Sequence, residues 1–179
     1  MNYKWINPLF ITDKDLPLVV LVDDRRSFIG WGIKHKSGNY CHIMEMHKPG
    51  FVASQNFNGF REIPIKKYMK PQMFLKFWKV EMTEEQRKDW ISRINVDLTR
   101  KWFQKRYDFL GILGQALNIR WIQSPWAKYC SEQVGSRLRS VFNIPIKDLN
   151  LRRTPSEIDF FMKSYEKVKF TPYGYWWQG

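Results

Sequence analysis

The sequence predicts an α+β fold, an antiparallel sheet packed against helices, on three observations. Two apolar runs flank Lys48-Pro49-Gly50 as the arms of a β-hairpin would. Thr83-Glu84-Glu85-Gln86 is a capping box at the head of a long helical pattern. From Ser131 onward, Val134, Leu138 and Val141 recur at three- and four-residue spacing, the period of an amphipathic helix.

In chain order, residues 18–22 form a β-branched run that reads as a buried strand, closed by Asp23-Asp24-Arg25-Arg26. Residues 27–36 read as a short helix ended by Ser37-Gly38-Asn39, although Gly30 and Gly32 weaken its intrinsic preference. Residues 40–46 and 51–57 are the hairpin strands, and Asn58-Gly59 turns the chain again. Residues 73–81, with Phe74, Phe77, Trp78 and Val80, read as another strand. The helix capped by Thr83 carries Trp90, Ile91, Ile94, Leu98 and Trp102 on one face, with arginines and lysines between them. Residues 107–117 form a second apolar, helical segment, and the stretch that begins at Cys130 a third. Asn143-Ile144-Pro145 breaks that pattern. Thr154-Pro155-Ser156-Glu157 starts a last short helix through Phe161, and the aromatic tail from Tyr173 is expected to fold back on the core.

A length of 179 residues is read as one domain, 1–179, large enough to bury a core without covalent staples. Two cysteines, Cys41 and Cys130, do not make a disulfide framework, and a reducing compartment fits them better. The N-terminus lacks the basic-then-apolar order of a signal peptide, and the apolar run 16–22 is too short to span a bilayer. The expectation is a soluble, cytoplasmic protein of a bacterium or a phage-infected cell. Thirty Lys and Arg against seventeen Asp and Glu give a net charge of +13. Such an excess favours polyanions: nucleic acid, teichoic-acid-type polymers or an acidic membrane face. No zinc-finger spacing, RNP-type aromatic motif or basic region leading into heptads supports nucleic acid. No CxxC, HExxH or spaced His/Asp/Glu cluster points to a metal, and no cofactor is expected.

The segment Tyr129-Cys130-Ser131-Glu132 places a lone thiol in the first turn of a helix, after a loop at Ser124-Pro125-Trp126. A helix N-terminus stabilises a thiolate, and a thiolate beside a base is a strong nucleophile. His35, His42 and His47 are the three histidines that could supply the base. A cysteine on an amphipathic helix is, on its own, more often a small buried hydrophobe.

The order of these segments resembles the permuted NlpC/P60 branch of the papain-like thiol hydrolases. Its YiiX-like members, bacterial or phage, carry the histidine on an early strand and the cysteine on a later helix. Residues 39–46, which contain Cys41-His42-Ile43-Met44, look like the family's histidine strand. Residues 51–65, with Gly59-Phe60 and Ile63-Pro64-Ile65, look like its following hairpin. Tyr107-Asp108-Phe109-Leu110-Gly111 resembles the segment before the nucleophile, Tyr129-Cys130-Ser131-Glu132 the catalytic helix start, and Thr154-Pro155-Ser156-Glu157 a late proline–serine element. The likeness spans about 18 to 160. It departs from the family in lacking a residue between Tyr129 and Cys130.

The resemblance implies Cys130 as nucleophile, His42 as base and the Cys130 backbone N–H as an oxyanion donor. It also implies a third polar residue on the strand after the histidine. Alignment back from Ile63-Pro64-Ile65 selects Gln55; Ser54 and Asn56 have the opposite strand parity and would take the role if a bulge shifted the register. Cys41 is expected to be inert, Glu45 to lie on the face opposite His42, solvated or paired with lysine, and His35 and His47 to be surface residues. The implied activity is hydrolysis or acyl transfer at an amide or ester bond of a peptide or acyl substrate, with anionic cell-wall or lipid material suggested by the charge. The alternative is a catalytically inactive basic protein of the same fold that docks a polyanion or a protein partner.

Overall fold

β1 (Leu18–Asp24) is the most apolar strand of the chain and lies inside the sheet, buried along nearly its whole length. The structure is a computed structural model that describes residues 4–24, 39–56, 58–100, 130–150 and 153–178. Among them, β1, β2 (His42–Lys48), β3 (Phe51–Asn56), β4 (Gly59–Pro64), β5 (Met73–Val80) and β6 (Phe170–Trp177) form one antiparallel sheet in the order β4-β3-β2-β1-β5-β6. Three helices are described: α1 (Glu84–Thr99), α2 (Cys130–Phe142) and α3 (Pro155–Ser164). The α+β class and the hairpin are as the sequence predicts. The segments 27–36 and 107–117 lie outside the described residues.

Each strand alternates between two cores. Val19, Leu21, Ile43, Ala53, Phe60, Trp78 and Val80 face α1, α2 and α3, where Trp90, Ile94, Val134, Leu138, Ile158 and Phe161 meet them. Leu18, Val20, Val22, Met44, Met46, Val52, Leu75 and Phe77 face the other way, covered by Ile11, Leu16 and Ile65. This is why β1 reads as an unbroken apolar run: both of its faces are buried.

The predicted caps are in place. Thr83 accepts from the Gln86 N–H while Gln86 returns a bond to the Thr83 N–H, and Thr154 and Glu157 repeat the arrangement at α3. The hairpin turns at Gly50, whose φ of 75° suits glycine. The aromatic tail folds back as edge strand β6 against β5. Residues 4–6 then run beside it: Ile6 N–H donates to the Tyr175 carbonyl and Tyr175 N–H to that of Lys4. Ile6 packs where a side chain at Gly174 would stand.

Candidate active site

β2 and β3 part before β2 ends. Their register runs from Lys48↔Phe51 through Glu45↔Ala53 and stops, although β3 stays paired with β4 as far as Asn56↔Gly59. The N-terminus of α2 meets this fork. Cys130, the first residue of α2, is buried, and its sulfur accepts a hydrogen bond from the Ile43 N–H, which the fork leaves without a β3 partner. The neighbouring residue is His42.

The imidazole of His42 is held from the other arm of the fork. Its Nε2 lies 2.8 Å from Ser54 Oγ, and Ser54 Oγ is 3.3 Å from the Tyr68 hydroxyl. The Tyr68 ring stacks on His42 at 6.2 Å between centroids. Ser54 is fully buried. Tyr68 sits in a 3-10 turn (Ile65–Tyr68) that follows β4. Burial raises the phenol of Tyr68, the Ser54 hydrogen bond opposes this, and the charges that Cys130 and Cys41 would carry raise it further. The sulfur of Cys130 is therefore within electrostatic reach of the Tyr68 hydroxyl.

Strand parity explains why Nε2 meets Ser54 and not Gln55. Glu45 pairs with Ala53, so these two share the helix-side face and Gln55 shares it with them. Met44, Met46 and Val52 belong to the opposite core, and by the two-residue period His42 and Ser54 share their face. The alignment that selects Gln55 ignores this relation; Gln55 itself is buried and pairs with Phe60. Tyr68 was not legible as a site residue, because it comes from a turn with no spacing signal.

The electrostatics of the two central groups run against the sequence expectation of a thiolate. Burial pushes the Cys130 thiol up to about 12, which outweighs the N–H groups of Ile43, Ser131 and Cys130 that favour the thiolate. Burial likewise lowers His42 to about 4. The resting pair is a neutral thiol and a neutral imidazole. Beside Cys130, the hydroxyl of Ser131 is fully buried and has no hydrogen-bond partner among the described residues.

Cys41 accepts from the Asp24 N–H and donates to the Val22 carbonyl, both at 3.4 Å, and burial raises its thiol. Glu45 is neither solvated nor paired with lysine. It is fully buried, and its Oε1 accepts from Trp90 Nε1 at 2.8 Å and Arg137 Nε at 2.7 Å. Arg137 also reaches Asp97 at 3.0 Å. His47 is buried too, its Nε2 3.0 Å from Glu62 Oε2, because alternation from Ile43 and Glu45 carries it to the helix side. His35 lies outside the described residues. No group of three or more His, Cys, Asp or Glu among the described residues could hold a metal ion.

No protein-family model matches the sequence, and no curated protein matches it. Among solved structures, the metalloprotein YiiX from Escherichia coli O157:H7 is similar, with a TM-score of 0.55 and 14% identity over 90% of this chain and 97% of that chain. The chain has a YiiX-like fold.

Proposed function

We propose that this protein is a papain-like thiol hydrolase or acyltransferase of the permuted NlpC/P60 kind, acting on an amide or ester bond of a peptide or acyl substrate through an acyl-enzyme at Cys130. The observation that carries this reading is the fork: Cys130 sits on the Ile43 N–H, and the next side chain, His42, is held through Nε2 by Ser54. With Nε2 engaged, Nδ1 is the nitrogen left to serve a thiol.

Because His42 is neutral at pH 7, it can accept a proton; because Cys130 is protonated, it must lose one as it reacts. The S–H proton passes to His42 as Sγ bonds to the carbonyl carbon. The negative charge that forms on the carbonyl oxygen is met by the Cys130 N–H and the Ser131 hydroxyl. His42 then protonates the departing amine or alcohol, leaving a thioester. Water or an acceptor alcohol or amine, deprotonated by His42, breaks the thioester and restores the thiol. Ser54 and Tyr68 keep the ring from turning.

A second reading, a binding protein that kept the fold without the chemistry, is favoured by one observation: burial leaves both groups neutral, with no ion pair at rest. Hydrolysis of activated esters and peptide amides separates the two. Turnover by the wild type that falls by at least about 10²-fold in both Cys130→Ser and His42→Ala supports the enzyme. Turnover equal in wild type and both variants supports the binding protein.

A further inference from the structure

We propose that the protein docks on an anionic lipid surface through the tip formed by Leu9 and Phe10 and the basic side chains around it. Phe10 is 80% exposed and Leu9 37% exposed, in a 3-10 turn (Pro8–Phe10) whose other residue, Pro8, is buried. Pro8 and the buried Ile11 on either side fix the turn, so the two apolar side chains project from a rigid base. A phenylalanine this exposed on an anchored turn is suited to enter an apolar medium.

The charge beside this tip selects the medium. The turn packs beside the 3-10 turn Ile65–Tyr68, whose Lys66 and Lys67 are exposed, and Lys70 follows. Arg61 is exposed and pairs with Ser54 across the sheet, so it stands on the same face. None of these four cations has an acidic partner within ion-pair distance among the described residues. The combination of an apolar tip, four exposed cations without an acidic partner among the described residues and a net charge of +13 is complementary to a bilayer rich in acidic headgroups. A nucleic acid would use the cations and leave Phe10 without a role, since stacking platforms lie in grooves that track the backbone.

The position has a consequence for the candidate active site. The turn that offers Lys66 and Lys67 outward sends Tyr68 inward to Ser54 and His42. One turn thus serves both the docking face and the residues that hold His42.

Sedimentation with vesicles of phosphatidylcholine alone, or of phosphatidylcholine with phosphatidylserine, tests this on the full chain. The wild type should bind the phosphatidylserine vesicles and lose them in high salt. Each substitution of Lys66, Lys67 or Lys70 by Gln should weaken binding about fivefold, and Phe10→Ser should weaken it roughly tenfold or more. Cys130→Ser should bind as the wild type does, which separates this proposal from the chemistry at the fork. Equal binding to both vesicle types overturns the proposal. So does an unchanged affinity in Phe10→Ser, and so does preference for an oligonucleotide that Phe10→Ser leaves intact. Circular dichroism of the variants checks that their folds are unchanged.

Discussion

At the scale of single residues, the fork makes a pH prediction with two limbs. His42 must be neutral to accept a proton, so acylation of Cys130 should stay level through the weakly acidic range and fall only as pH drops toward about 4. Stability follows the same groups. The unfolded chain protonates His42 near its usual value of 6.5, so the stability tied to a neutral His42 is complete above that and lost as pH falls to about 4. For Cys130 the sign reverses: the unfolded thiol ionises near 9, so stability is complete below that and lost as pH rises to about 12. Urea unfolding across pH checks both, and Cys130→Ser should remove the alkaline loss. Ser54→Ala should slow acylation about tenfold with little change in KM, because a freed imidazole spends less time facing the thiol. Gln55→Ala should slow it less. Motif order in the sequence singles out Cys130 and His42 as candidates. The hydrogen bond between His42 and Ser54 was not legible, because alignment fixes position along the strand while the bond depends on which face the strand presents.

At the scale of elements, α2 is held over the sheet by a buried ion pair as well as by apolar packing. Arg137 and Glu45 are both at most 4% exposed, and Glu45 Oε2 has no partner among the described residues. Arg137→Met should destabilise the fold by about 3–5 kcal/mol, because it leaves Glu45 in the core with only Trp90 to bond it. The double variant Glu45→Met/Arg137→Met should recover most of that loss in denaturant unfolding. The sequence placed Glu45 on the correct face and gave it the wrong surroundings, since a strand pattern does not reveal that a helix 92 positions later delivers a guanidinium. Caps behaved differently: Thr83 and Thr154 satisfy bonds three residues away, and such local chemistry is fully legible. Thr154→Ala should cost about 1 kcal/mol, read as a lower Tm, and should loosen α3, whose Asp159 bonds Lys76 and Trp78.

At the scale of the whole molecule, the sheet separates two tasks. One face receives α2 and the thiol; the other carries His42, Ser54, Tyr68 and the basic, apolar-tipped surface. Where β2 and β3 part, the Cys130 sulfur accepts from the Ile43 N–H, one residue from His42. The apolar periodicities made β1, β2, β3, β5 and the described helices legible in the sequence. The parting was invisible, because it depends on a ladder that stops at Glu45↔Ala53 although both strands continue. No helix among the described residues is long and apolar enough to cross a membrane. The most direct test of thiol chemistry at the fork is intact-mass spectrometry of the protein after brief exposure to an activated ester and acid quench, with peptide mapping of the adduct. A single acyl group on Cys130, lost in His42→Ala, is the predicted result. An adduct on Cys41 or on lysines alone, or acylation of Cys130 that proceeds equally without His42, would contradict it.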